Sequence, residues 1–467
     1  MKKVLLTLLL VFFATAGHAE ISFDLTGDFF ARGSYWKNFN LDPDNNVSYM
    51  NVDGETNLYP TIKVGKTELK MRIQMRDEIW GNFYGYETDA GTSVKDFADG
   101  FPYQYTDSTD ANVQIARLWL RHYFENSFLD VGLRDGGQWG TTFGDAVEAR
   151  YRVVWYPRTP VGVFVLLYEK RAELGKEDLK DSEDGDFMYY GAGWVTKVGD
   201  VFVKPLIIYA EAGDYLPNIS RSALPGVLGL DLKNTGIQIL GGALALNGDL
   251  GPVQFEAEFG MQNWMVEDLQ DLAPLAALAA QPGLEDLANL AGLANAKDST
   301  IWSVYLNVWN DLDFGRAGLS MYYASWDDKG GPFGAGWGFD AGEDFESNLI
   351  LGDWLAIGGV DWQPAQDVLG MSMIKPYIAN VKTPIDKLTC GASFAYIMSN
   401  QEKTAWEDFS AWEIDANAAY AITDNLTYEV MGGYATLSYD KKGLPYGAPS
   451  KDPDEVMLLQ HRIKLVF

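Results

Sequence analysis

Beyond its first twenty residues this 467-residue chain has no run of about 18 apolar residues, so none of it is suited to cross a membrane as a helix. It has one cysteine, which excludes an intramolecular disulfide and a thiolate zinc cluster. Its 36 lysines and arginines face 65 aspartates and glutamates, giving a formal net charge of −29. That balance repels a phosphate backbone and excludes a nucleic-acid partner. Of its three histidines one falls in the first twenty residues, leaving only His122 and His461, far apart in sequence. Neither a G-x-S-x-G elbow nor an HExxH segment occurs, and no Asp/Glu pair stands apart from the many solvated acids, so the chain reads as a non-enzyme. The aspartates of the 40–54 loop lack the full ligand series of a calcium site, and neither metal nor cofactor is expected. What is abundant is glycine (48 residues) and aromatic side chains (14%), a composition that suits many short strands.

Residues 1–19 form a targeting signal. Lys2 and Lys3 give a positive start, Val4 to Ala14 an apolar stretch too short to anchor, and Gly17 and Ala19 a small-x-small exit. Cleavage before Glu20 removes the two lysines, so the exported chain, 20–467, is two units more negative than the precursor.

The exported chain then alternates. Ile21, Phe23, Leu25, Phe29 and Ala31 fall on one face, with Ser22, Asp24, Thr26, Asp28 and Arg32 on the other. Leu69, Met71, Ile73 and Met75 interleave with Glu68, Lys70, Arg72, Gln74 and Arg76. The same period recurs in 253–259, 412–418 and 457–467. These are strands with one apolar and one polar face. A soluble sandwich and a membrane barrel both use such strands, and three features favour the barrel. The strands are about 9–14 residues long, enough for a tilted crossing. Their polar faces carry both signs of charge, and aromatics such as Tyr35, Trp36, Trp80 and Tyr439 gather at their ends. Short turns at 64–66, 125–127, 198–200, 247–249 and 423–425 alternate with longer loops at 34–56, 81–110, 172–186, 213–232, 328–347 and 440–454.

The signal segment, these strands and the closing LLQHRIKLVF together resemble Gram-negative outer-membrane porins. The segment WEIDANAAYAITDNLTYEV is similar to the penultimate hairpin of many porins, whereas the PEFGGD constriction motif of enterobacterial porins is absent. The resemblance implies an all-β fold: a transmembrane antiparallel up-and-down barrel of about eighteen strands, with sixteen to twenty as the range. It implies residence in the outer membrane, contact with lipid bilayer and lipopolysaccharide, and a homotrimer. It also implies that Ile463, Leu465 and Phe467 form the signal read by the outer-membrane assembly machinery. His461 departs from the apolar series.

Residues 266–298 break the pattern. Rich in Leu and Ala at helical spacing and interrupted at Gln281-Pro282-Gly283, they read as two short amphipathic helices within a loop. Three placements are open: packing on the rim, narrowing the lumen, or contacting a partner.

The inward faces suggest a charged lumen. Arg32, Lys70, Arg72, Arg76, Arg134, Arg150 and Arg152 make a basic wall, with Asp130 beside Arg134, while Glu256, Glu258, Glu413 and Asp415 make an acidic one. Porins of this kind use opposed charges as a transverse field, and a wet, paired lining is the plainer reading. His122 and His461 sit in strands far apart in sequence, where a lumen metal pair is the weaker reading. Cys390 reads as a small apolar residue facing lipid.

The leading function is a passive channel for ions and small hydrophilic solutes, with a mild cation preference that weakens as salt rises. A transporter of hydrophobic compounds is the first alternative, suggested by ALPGVLGLDL at 223–232 and by the Leu/Ala insertion. A barrel that presents its loops to partner proteins is the second.

Overall fold

The computed structural model describes residues 21–38, 48–77, 113–137, 139–144, 148–172, 187–212, 236–267, 298–328, 337–338, 342, 345, 347–351, 370–402, 407–438 and 455–467. The expected export segment 1–19 lies outside them, as does the insertion from 268 to 297.

Alternation becomes strand throughout. The first half holds β1 (Ile21–Lys37), β2 (Tyr49–Val64), β3 (Thr67–Asp77), β4 (Val113–Tyr123) and β5 (Ser127–Gly136). It continues through β6 (Glu148–Thr159), β7 (Gly162–Ala172), β8 (Phe187–Val198), β9 (Val201–Ala212) and β10 (Gly236–Leu250). Then follow β11 (Val253–Glu267), β12 (Ser299–Leu312) and β13 (Gly315–Ala324). A two-residue ribbon, β14 (Trp326–Asp327) with β15 (Trp337–Gly338), stands apart from the main sheet. The last strands are β16 (Met371–Lys382), β17 (Leu388–Ser399), β18 (Ser410–Ala421), β19 (Leu426–Ser438) and β20 (Val456–Val466).

Apart from the ribbon, each strand pairs antiparallel with the next, and β20 pairs with β1, closing an 18-stranded barrel. Closure leaves no sheet edge, which a structure in lipid requires because no water is there to satisfy an open edge. At the seam Gly27 and Phe467 exchange both backbone hydrogen bonds, at 2.8 and 2.9 Å. Outward side chains are apolar and exposed, as at Phe23, Ile207 and Leu459. Among the described residues no helix is long and apolar enough to cross a membrane.

Short turns gather at one rim, where β1 begins and β20 ends, and long connections gather at the other. Two expected boundaries move. Residues 247–249 belong to β10, and the turn falls at Gly251, whose φ of +69° suits glycine. Gly248 is a ladder residue paired with Val201: a Cβ there would lie 2.4 Å from the carbonyl oxygen of Asp200, in the turn just before that strand. The first expected loop, 34–56, is shorter, because the β1–β2 ladder runs on to Trp36 and Tyr49. Trp36 extends the strand because its ring is buried inside the barrel while its neighbour Tyr35 stays outside.

Candidate functional site

The inside of the barrel is charged along β1–β9, and most described arginines there meet a carboxylate. Arg32 bonds its ladder partner Asp53 at 3.0 Å. Lys70 lies 3.4 Å from Glu68, and Arg72 lies 3.3 Å from Glu55 while also donating to Asn57. Arg76 is in β3, but its side chain lies outside the described residues. Further round, fully buried Asp130 takes both Arg121 and Arg134. Glu169 takes Arg152 at 2.6 Å and Arg150 at 3.7 Å. The acids Asp53, Glu55 and Glu169 escape a reading of single strands. The signal for them is register, since Asp53 is the ladder partner of Arg32 and Glu169 that of Arg152.

A cavity of about 1490 Å³ lies against β5–β11. Arg134, Arg150 and Arg152 line it, together with Arg158, Arg171 and Lys204, which the sequence reading did not single out. Arg158 continues the inward series of Arg150 and Arg152 at even numbers, so alternation alone marks it. Between these charges run Val154, Val165, Leu167, Leu206, Ile208 and Ile239. Arg32, Lys70 and Arg72 do not reach this cavity, so the expected basic wall divides into two groups.

The connection from β5 to β6 does not stay at the rim. Its residues 139–144 turn into the lumen and cross toward β11 and β12. Trp139 donates from its indole nitrogen to the carbonyl of Lys204 at 3.2 Å, while the Lys204 ammonium donates back to the carbonyl of Gly140 at 3.0 Å. Thr141 donates its backbone N–H and its hydroxyl to Glu258 Oε2, at 2.7 and 2.8 Å. Gly140 and Gly144 let the backbone wrap that carboxylate: a Cβ at either would lie 2.3 Å from a Glu258 oxygen. One step on, Thr142 shares Glu256 Oε1 with Tyr305 and Asn307, at 3.0, 2.9 and 3.1 Å.

Phe143, wholly buried, ends the crossing. Its ring stacks on Tyr305 at 5.2 Å and meets Phe345 edge-on at 5.0 Å. Its carbonyl accepts the N–H of Gly342 at 2.8 Å, tying the loop to a second inward segment between β13 and β16. In that segment Ile350 and Leu351 donate their N–H groups to Glu413, at 2.7 and 2.8 Å. Lys375 donates to the carbonyl of Ser347 at 2.5 Å, and Asp415 accepts from Ser393 at 3.2 Å.

Around these anchors lies an apolar cluster inside the barrel. Ile350 and Leu351 join Trp36, Ile301, Met373, Ile397, Leu437 and Leu458 from the upper inward faces of β1, β12, β16, β17, β19 and β20. Of the four expected acidic-wall residues, Glu256 and Glu258 border the open cavity. Glu413 faces inward as the alternation requires and is fully buried under the second segment. A strand-by-strand reading misses both inward segments because nothing in their own periodicity marks them.

The two strand histidines are on the outer surface. His122 accompanies outward Leu118 and Leu120 and contacts Thr67 at 2.8 Å, and His461 covers Gly33, where a Cβ would meet its ring. The lumen-pair reading is therefore withdrawn: both side chains point away from the lumen. Among the described residues no three metal-ligating side chains cluster. Cys390 follows the outward series of Phe394 and Tyr396.

No protein-family model matches the chain, and no curated protein matches its sequence. Solved structures match its fold along nearly the whole length. The outer membrane protein OpdK from Pseudomonas aeruginosa is 10% identical with a TM-score of 0.50, covering 95% of this chain and 98% of its own. OccK8 (OprE) of the same organism is 12% identical with a TM-score of 0.50, at the same coverage. A BenF-like porin from Pseudomonas fluorescens is 9% identical with a TM-score of 0.50, covering 95% of this chain and 99% of its own. The chain thus has the closed 18-stranded barrel fold of these outer-membrane proteins.

Proposed function

We propose that the protein is an outer-membrane porin of a Gram-negative bacterium: a water-filled channel through which ions and small hydrophilic solutes diffuse passively. The observation that carries this reading is a closed barrel, apolar outside, around a cavity of about 1490 Å³ bordered by paired charges. Water and solvated ions move along such a lining without a cofactor, an energy source or a catalytic step. Arg134, Arg150 and Arg152 bear most directly on selectivity, because they border the cavity, with Glu256 opposing them. Arg32, Lys70, Arg72 and Arg76 complete the basic wall; Asp415 joins Glu256 in the acidic one, while Glu258 and Glu413 meet the inward segments. The exported chain, two units more negative than the −29 of the full sequence, favours a mild cation preference at low salt.

Residues 1–19 are the export signal, and the helical loop insertion expected over 266–298 begins only after Glu267, where β11 ends. Ile463, Leu465 and Phe467 present the terminal signal to the assembly machinery, and the barrels associate as a homotrimer in contact with lipopolysaccharide. A carrier of hydrophobic compounds is the second reading. It draws on the apolar strip of Val154, Val165, Leu167, Leu206, Ile208 and Ile239 along the cavity.

Planar-bilayer recording with purified protein under a salt gradient tests the channel. Discrete conductance steps with a reversal potential displaced toward cations are expected. A protein that inserts as a folded barrel and passes no current removes the porin reading. For the terminal signal, Phe467→Asp should reduce the membrane-inserted form, and normal insertion would count against it.

A further inference from the structure

The two carboxylates Glu258 and Glu413 stand on β11 and β18, far apart around the barrel. Each nonetheless does the same thing: it accepts hydrogen bonds from the backbone of an inward-folded segment. Glu258 takes the N–H and hydroxyl of Thr141, and Glu413 takes the successive N–H groups of Ile350 and Leu351. A backbone drawn off the barrel wall carries donors with no ladder partner, and leaving them unmet in a dry site costs stability. A carboxyl group suits such donors because its two oxygens offer several acceptor sites, and Glu413 uses both of them. The two segments also hold each other, through the Gly342 N–H to the Phe143 carbonyl and the Phe143–Phe345 contact.

We infer that Glu258 and Glu413 are positioning residues for a single crossbar, formed by 139–144 with 342, 345 and 347–351, that sets the width of the proposed channel. Their oxygens are directed at backbone donors, so they act on pore size and contribute little to ion selection. This inference rests on the channel reading. It departs from treating the two acids as part of a charged wall, and the two views predict opposite results. If the acids are anchors, removing one releases a segment and widens the passage at nearly constant selectivity. If they are wall charges, removing one shifts selectivity toward anions with little change in width.

The test is single-channel recording on the full chain with Glu258→Ala, Glu258→Gln and Glu413→Ala, each first checked for heat-modifiable, folded barrel. Glu258→Ala should raise conductance by about twofold or more with an unchanged reversal potential. Glu258→Gln retains an acceptor oxygen and should restore near-native conductance. Because Phe143 links the segments, adding Glu413→Ala to Glu258→Ala should raise conductance by less than the two separate effects combined. Should Glu413→Ala fail to fold, Thr141→Val supplies the second arm: it removes one donor to Glu258 and should give a smaller rise. A native protein that conducts, with Glu258→Ala shifting reversal potential at constant conductance, overturns the anchor role and leaves the channel standing. Equal conductance and reversal potential in Glu258→Ala and native protein would also overturn it. A native protein that passes no current refutes the channel reading itself.

Discussion

From β12 through β20 to β1, the long-loop end of the barrel is packed inside like the core of a soluble protein. From β5 to β11 the inner wall instead borders open space and is set with paired charges. Both arcs obey the same outward rule, with apolar side chains toward lipid. They differ in what meets the inward face. In the first arc an inward segment brings Phe345, Ile350 and Leu351 against Met373, Ile397 and Leu458, and burial removes apolar area from water. In the second, Asp130 and Glu169 meet the arginines on neighbouring strands, and the space beside them stays open. Period-two alternation therefore fixes which way a side chain points, while the partner across the lumen decides whether that position is wet.

The sharpest way to break this contrast is Phe143→Ala, at the point where the crossing loop enters the dry arc. Loss of a fully buried ring should cost about 3–5 kcal/mol. The temperature at which the folded barrel loses its distinct electrophoretic mobility should fall, and an unchanged transition would mean that the apolar cluster adds little to stability. In the wet arc, replacing Arg150 and Arg152 together by Ala leaves the Glu169 carboxylate without two of its cations. The cost should be about 1–3 kcal/mol, with the reversal potential displaced further toward cations. No displacement would place these arginines off the conduction path.

A third variant sharpens the comparison by asking whether the crossbar alone narrows the lumen. In-frame deletion of 268–297 should leave the barrel folded, because it spares the β11–β12 ladder. Higher conductance after deletion would assign part of the constriction to the insertion, and native conductance would assign it to the crossbar. The smallest effect is expected for Arg32→Ala. Its pair with Asp53 is partly exposed, with about a quarter of the arginine side chain open to solvent. The change should fall within about 0.2–1 kcal/mol, and a larger drop in thermal stability would mean that the charges along β1–β4 are drier than they stand here.

The strand count, the barrel class and the facing of most named residues were legible, because each rests on a local period of two. The register partners were not, since Arg152 and Glu169 meet only once β6 and β7 are aligned. The dry arc left a trace that alternation obscured. Val456-Met457-Leu458-Leu459 is apolar on both faces, as is Met371-Met373 beside Ile374, and a strand end apolar on both sides needs something to pack against within. The crossbar itself was hidden for a different reason. A Gly-Thr-Thr-Phe-Gly run reads as an ordinary loop until Glu258, more than a hundred residues later, is placed between its glycines.

The β20–β1 seam has a consequence for how the molecule assembles. Every other barrel interface joins strands that are successive in the barrel, with only the β14–β15 ribbon intervening between β13 and β16, and can form by hairpin growth. The seam joins the two most remote strands, with Gly27 bonded to Phe467. Local pairings form fast and remote ones slowly, because the loop must be closed before any contact rewards it. Until then β1 and β20 remain open edges, each able to pair with the wrong chain. The last-forming ladder is thus the step at which a correctly threaded sheet is committed to one barrel or lost to aggregation. Substitutions at Gly27 or Gly33, where Phe467 and His461 lie across the seam, should slow assembly far more than equal substitutions within a hairpin.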